Sequence, residues 1–296
     1  MKEESLHIIE GFGDKYIEKY LKYWGGIDLE NNWWKALEFF FWHSFMRGRR
    51  DTLSSRYCCF AIEALKDYLR IGGNNLEKSY RLLSRQADKY DIAPILSFKK
   101  THRIGKGNSV SKKWIGSFTK EIGDKNEIVK LLITDRKVPF RLPWRPEQTE
   151  PYTIHLTNDA DLLMVLDILR MISENSRKNV YNYIKGKVVK GEARKVYEEL
   201  TGIRGVSDKI ATFMIRDVGL LNPGIMNTDY ELAFPVDRWV RKIANKLGFA
   251  GNDKAIKKFF IERSTNPLKL AAGIWFLGTH AVDMMLEIIA DNMNMN

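Results

Sequence analysis

Three groups of residues carry types and spacings that could do chemistry. The first is Ile203-Arg-Gly-Val-Ser207, a tight break between two helical stretches. Gly205, Val206 and Ser207 would present backbone N–H groups beside the start of a helix. Unpaired donors at the positive end of a helix dipole suit a phosphate, and because they are backbone groups the contact reads no base sequence. The second is Lys209, on the first turn of the following helix. A lysine near its usual pKa of ~10.4 is protonated at neutral pH. It therefore acts as a solvated charge or a phosphate contact, and becomes a nucleophile only if water is stripped from it. The third is Asp237, which ends the Gly/Pro-bearing loop from Leu221 and immediately precedes a helix with basic Arg238, Arg241 and Lys242. An Asp in that place ordinarily caps the helix.

These residues must be held by helices. Val196 to Leu200 reads as amphipathic, and Asp208 to Val218 places Ile210, Ala211, Phe213, Met214 and Ile215 on an apolar side. After Asp237, the stripe is Val240, Ile243, Ala244 and Leu247. Upstream, Trp33–Phe45 is apolar all round and predicts a buried helix, its aromatics serving as core. Residues 47–55 interrupt it, a second helix follows from about 56 to 70, and Gly72-Gly73-Asn74-Asn75 ends that. Leu162, Val165, Leu166, Leu169 and Ile172 mark another helix, and about 268 to 290 a C-terminal one with Trp275 and Phe276 in the core. Ile128–Ile133, Val138–Trp144 and Tyr152–Leu156 have strand composition and predict a small sheet. His43 and His280 fall in apolar helices and read as satisfied core histidines.

Ile203-x-Gly205-Val-x-x-Lys209-x-Ala211 followed by Pro235-Val-Asp237 resembles the helix-hairpin-helix GPD superfamily of base-excision DNA glycosylases. The close resemblance covers about fifty residues, in the order hairpin, Lys, loop, Asp, basic helix. It implies a mainly α, two-lobed helix-hairpin-helix glycosylase fold with a small β insertion around 126–157 and the active site in the cleft between the lobes. One lobe would span 30–218, with an insertion at 99–157. The other would combine 1–29 with 219–296 and carry the Asp loop. The resemblance also implies roles. A damaged base is flipped from duplex DNA, Asp237 stabilises the positive charge that develops on the sugar, and the Lys209 amine displaces the base through a Schiff base, followed by β-elimination. Two alternatives stay open: a monofunctional glycosylase that uses Asp237 alone, and a non-enzymatic hairpin protein that only binds DNA.

The sequence departs from the family pattern in three ways. Ser207 stands where a second hairpin glycine is usual. Twenty-eight residues separate Lys209 from Asp237, longer than in endonuclease III, so the loop is expected to bulge outward. Nothing after Cys59 is Cys, so the branch with an iron–sulfur cluster is excluded and the resemblance is to the 8-oxoguanine and alkyladenine glycosylases.

Composition agrees with a nucleic-acid partner but does not name one. Forty-eight Lys and Arg against thirty-seven Asp and Glu leave a charge of +11 over 296 residues, which points to a polyanion. The +11 has three candidate places: Arg47, Arg49 and Arg50; the acid-free stretch from Lys99 to Lys120, which includes Lys112 and Lys113; and Arg238–Lys242. The five histidines show no metal-ligand spacing, and two adjacent cysteines cannot build a four-thiolate site. No cofactor and no metal are expected. No carboxylate cluster lies near the hairpin, which counts against a Mg²⁺-dependent nuclease. The longest apolar run, Leu270–Gly278, is shorter than the ~20 residues of a membrane span. The expectation is a monomeric, cytoplasmic, nucleoid-associated protein whose partner is double-stranded DNA with a damaged base.

Overall fold

The computed structural model describes residues 2–46, 51–69, 127–139, 151–156, 159–174 and 179–294. The chain is mainly helical with one two-stranded sheet, and it divides into two compact units. Unit 1 gathers Met1–Gly26, Lys185–Glu198 and Ala211–Asn296; unit 2 gathers Ile27–Ile184 and Glu199–Ile210.

Unit 2 is built on α3 (Trp33–Phe45) and α4 (Asp51–Leu69), which pack on one another. Asn32 starts α3 by accepting from the Lys35 N–H at 3.1 Å, a cap that satisfies one of the orphan amides of the first turn. Trp33, Trp34, Phe39, Phe40, Phe41, Trp42 and Phe45 are all buried. The dense aromatics are therefore core, as their all-round distribution predicts. His43 is buried too, with Nδ1 2.9 Å from the Phe39 carbonyl.

The next segment corrects one expectation. Ile128–Ile133 is not a strand: Glu127–Ile133 forms a helix, α5, packed on α4. Its β-branched composition suggests extension, but Ile128, Val129 and Leu132 are the buried positions. That one-turn spacing lets a helix bury all three on a single face, and packing overrides the weak strand preference. Of the expected strand Val138–Trp144, residues 140–144 lie outside the described residues. Strands β1 (Arg136–Pro139) and β2 (Pro151–Ile154) pair antiparallel, with Arg136 opposite Ile154 and Pro139 opposite Pro151. Neither of the facing prolines has an N–H to donate to the ladder. Val138 is the buried residue of β1. The Tyr152 hydroxyl donates to the Arg56 carbonyl at 2.6 Å, and Arg136 pairs with Asp67, so the sheet is fastened to α4 from both strands.

Helix α6 (Asp159–Glu174) buries Leu162, Val165, Leu166, Leu169 and Ile172, the stripe expected from their spacing. Helix α7 (Val180–Val189) begins beside Asn179, whose side-chain amide donates to the carbonyl of Leu29 at 2.8 Å and holds the approach to α3. Helix α8 (Ala193–Gly202) and helix α9 (Asp208–Leu221) flank the hairpin turn.

Unit 1 has a separate core, centred on Leu6, Phe234, Val240, Phe260 and Leu270. It contains α10 (Arg238–Lys246), α11 (Asp253–Arg263) and α12 (Pro267–Asn294), together with α1 (Lys2–Tyr16). A wider π-type turn (Ile17–Leu21) joins α1 to the short α2 (Lys22–Gly25). Helices α1 and α12 lie against each other. The contact is backbone to backbone: a Cβ on Gly13 would meet the Lys269 carbonyl, and one on Gly273 would meet the Ile9 carbonyl. The buried carboxylate of Glu10 on α1 receives the Thr265 N–H (2.8 Å), the Asn266 N–H (3.2 Å) and the Thr265 hydroxyl, and so supplies donors ahead of α12 with their acceptor.

The crossing generates a pair of opposite outcomes. Gly273→Ala forces a methyl into the Ile9 carbonyl and is expected to cost about 1–3 kcal/mol as an overpacking change. A Cβ on Gly11, in the same α1, meets nothing within 4 Å, so Gly11→Ala is expected to stabilise by roughly 0.5–1 kcal/mol through helix propensity. Urea unfolding of the two variants checks the sign of each.

Candidate functional site

The hairpin turn lies in unit 2. Gly205 has φ +84° and supplies the left-handed residue that the reversal needs. Asp229 is the one non-glycine residue with positive φ among the described residues, so Ser207 takes the place of a second glycine without left-handed strain. Three turn amides are used internally. Ile203 donates to Leu200 O (3.1 Å), Val206 donates to Ile203 O (3.1 Å), and Arg204 donates to the Asp167 carboxylate on α6 (2.9 Å). The amides of Gly205 and Ser207 have no acceptor among the described residues. They sit beside the N-terminus of α9, where a phosphate oxygen is a natural acceptor.

Lys209 is solvent-exposed on the first turn of α9. Ile210, Ala211, Phe213, Met214 and Ile215 are buried, as the apolar side predicts. The turn therefore brings together Gly205, Val206, Ser207 and Lys209. Asp167 is what sequence reasoning missed here: a carboxylate within the apolar stripe of α6, spent on pinning the turn. Its signal was an acid on an otherwise apolar face.

The Asp loop lies in unit 1. Pro223, Gly224, Asn227 and Thr228 are exposed, but Met226, Leu232, Ala233, Phe234 and Pro235 are buried. The loop thus reaches solvent in its first half, and its second half packs into the core. Hydrogen bonds fasten it: Asn222 Nδ2 donates to Val218 O (2.9 Å) and the Tyr230 hydroxyl to Met226 O (2.8 Å). Gly224 (φ +86°) and Asp229 (φ +58°) make the left-handed bends. Asp237 caps α10, its Oδ1 accepting from the N–H groups of Trp239 (2.8 Å) and Val240 (3.1 Å). The capping role that its position suggests is therefore present, and it fixes the half-buried carboxylate at the head of the helix.

The basic residues of α10 are placed by their neighbours. The Arg238 guanidinium lies 4.7 Å from the Trp239 ring centre and the Lys242 ammonium 4.9 Å. Trp239 packs where a Cβ on Gly278 would strike its ring, and it is packing, as expected. Arg241 is held by Asp253 through two bonds, Nε–Oδ1 at 2.9 Å and Nη2–Oδ2 at 2.7 Å. Their mutual hydrogen bond lowers the Asp253 carboxyl and raises the Arg241 guanidinium. Asp237, Arg238 and Arg241 are thus gathered at the start of one helix. Arg47, Arg49, Arg50, Lys112 and Lys113 lie outside the described residues.

Scans against family models, curated proteins and solved structures each found no match. Among the described residues no group of three or more His, Cys, Asp or Glu could hold a metal ion, and no helix is long and apolar enough to cross a membrane.

A buried ionic network on α9, in unit 1, escaped the sequence altogether. Arg216 Nε donates to Asp217 Oδ1 (2.8 Å), Arg216 Nη2 to the Tyr16 hydroxyl (2.6 Å), and the Tyr16 hydroxyl to Asp217 Oδ2 (2.7 Å). The guanidinium lies 4.5 Å from the Tyr16 ring centre and 4.6 Å from that of Phe213. All three residues are buried. Burial pushes the Tyr16 hydroxyl well above its usual range. Burial works against the Arg216 charge, but the attraction of Asp217 and Tyr16 leaves the guanidinium raised, so it stays protonated. The only signal was an Arg-Asp pair inside an apolar run.

Removing one partner leaves an uncompensated buried charge. Asp217→Ala is expected to destabilise by about 3–5 kcal/mol. Tyr16→Phe, which strips a donor and an acceptor but no charge, is expected to cost about 1–3 kcal/mol. Denaturant midpoints of the two variants give the ranking, and equal costs would deny the charge its part.

Proposed function

We propose that the protein is a DNA glycosylase that flips a damaged base from duplex DNA, breaks its N-glycosidic bond and then nicks the strand as a lyase. The observation that carries the reading is the hairpin turn. Gly205 in the left-handed conformation leaves its own amide and that of Ser207 open beside a helix start, with Lys209 one residue into the first turn. Two open amides on a pinned turn suit the backbone of a polyanion, and the +11 charge favours the same partner.

In this reading each residue has one task. The Gly205 and Ser207 amides hold a phosphate. The Lys209 amine, exposed in the free protein, loses its water when DNA covers it, and its neutral form attacks the sugar C1′. The C1′–N bond breaks, and the base leaves with the electron pair and takes a proton. Ring opening gives an iminium on Nζ. Loss of the C2′ proton then expels the 3′ phosphate. The Asp237 carboxylate, fixed by its cap bonds, stabilises positive charge on the sugar as the bond lengthens. The duplex partner, the lesion chemistry and the nucleoid location belong to this proposal.

Borohydride trapping on a panel of lesion duplexes tests it. A covalent adduct is expected with the native protein and none with Lys209→Ala. Asp237→Asn keeps a capping oxygen and removes the charge, so excision should fall on the order of 10²–10³-fold with little change in stability. Base release without nicking or trapping would leave Asp237 its role and take the nucleophile from Lys209. Tight duplex binding with no excision on any lesion would replace the enzyme with a hairpin binding protein.

A further inference from the structure

The turn between α7 and α8 carries a charge cluster that the glycosylase reading does not use. From Lys185 to Lys195 the chain reads Lys-Gly-Lys-Val-Val-Lys-Gly-Glu-Ala-Arg-Lys, five cations around one acid. Gly191 has φ +71°, its N–H donates to Val188 O (3.0 Å), and the Glu192 N–H donates to Lys187 O (2.8 Å). This is the paired closure of a helix that ends on a left-handed glycine.

Cations at the end of a helix complement its dipole, which accounts for Lys187 and Lys190. It does not account for Arg194 and Lys195. They stand in the first turn of α8, where the dipole repels them. Arg194 has a partner in Glu231 at 3.2 Å, and Lys187 pairs with Glu192. Lys190 and Lys195 are exposed. The Glu192 carboxyl is held below the usual range first by the Lys187 hydrogen bond and then by the charges of Lys187, Lys195 and Lys190. Lys187 thus pairs with this carboxylate directly, and Lys190 and Lys195, on either side of the turn, add their charge to its surroundings. Beside them Val189 is 56% exposed, an unusual place for a large apolar side chain. Crowded like charges, one of them against the dipole, on a turn closed by two backbone hydrogen bonds are stabilised by an outside polyanion.

We propose that the α7–α8 turn is a further docking surface for the phosphate backbone of duplex DNA, with Lys190 and Lys195 each neutralising a phosphate and Lys187 held ready by Glu192. The choice of duplex DNA as the polyanion rests on the glycosylase reading.

The test is the salt dependence of binding to an undamaged duplex, compared between the native protein and Lys190→Ala/Lys195→Ala. Lys187 stays in place to keep Glu192 paired. Each phosphate contact contributes a slope of about −0.9 in log K against log salt. Losing two flattens the slope by about 1.8, so between 50 and 200 mM salt the variant loses ~12-fold less affinity than the native protein. A second variant, Lys254→Ala/Lys258→Ala on α11, removes the same charge elsewhere and is expected to leave the slope near the native value. Equal flattening in both variants would overturn the proposal, because bulk charge would then be enough. An unchanged slope in the turn variant would overturn it too. So would loss of poly-glutamate binding without loss of duplex binding, which would assign the turn to an acidic protein. No lesion enters the measurement, so a failure of the glycosylase reading and a failure of this surface are told apart.

Discussion

Unit 1 depends on a charge that it buries. Arg216 brings a permanent cation into a dry interior, and such a cation is tolerated only with an anion and hydrogen-bond acceptors close by. Asp217 supplies the anion from the adjacent residue, and Tyr16 supplies a hydroxyl that serves both. The result is directional in a way that an apolar core is not. A helix packed only by Phe and Leu can shift along its neighbour at modest cost. A helix whose guanidinium must meet one hydroxyl and one carboxylate cannot. The network thus sets the register of α9 against α1 within unit 1. It has a local cost: Arg216 Nη1 is buried with no partner among the described residues, so the fit is good without being complete.

The hairpin turn follows the same logic in unit 2. Asp167 is an acid buried in an apolar helix face, and its carboxylate accepts from a backbone amide of the turn. That commitment divides the turn's donors into those that shape it and those that face outward. Asp237 is likewise fixed by the backbone. Its cap bonds both fall on Oδ1, and they fix where the carboxylate points. Capping and electrostatic catalysis compete as explanations in the sequence. In the folded chain they are compatible, because the cap is what holds the charge still.

Much of the helical framework was legible. The aromatics of Trp33–Phe45 cover every side of the helix, which no surface helix does, and the stripe of α6 repeats at helical spacing. The hairpin and Asp loop were legible because Gly and Pro mark turns by their backbone restrictions. Ile128–Ile133 was misread because β-branched composition speaks for a strand while the burial of Ile128, Val129 and Leu132 speaks for a helix, and burial is a tertiary fact. Arg216, Asp217 and Asp167 were illegible for a related reason. A charged residue in an apolar run looks like a gap in the pattern until its partner, two hundred residues away in the case of Tyr16 and Arg216, is seen. His280 shows a milder case: it is half-buried rather than core, with Nε2 2.7 Å from the Tyr20 hydroxyl.

The pairing of α1 with α12 also sets an order of events during synthesis. Glu10 and the Thr265 amide that it receives are 255 residues apart. At roughly 5–20 residues per second, α1 leaves the ribosome about 13–50 s before its partner exists. Until then the face of α1 around Ile9 and Gly13 lacks the helix it packs on, although Tyr16 can already meet Arg216 and Asp217 of α9. The contact between α1 and α12 therefore cannot form until the residues around Thr265 have been made. A nascent chain of this design has a long window in which the apolar face of an amphipathic helix is open to chaperones and to other nascent chains.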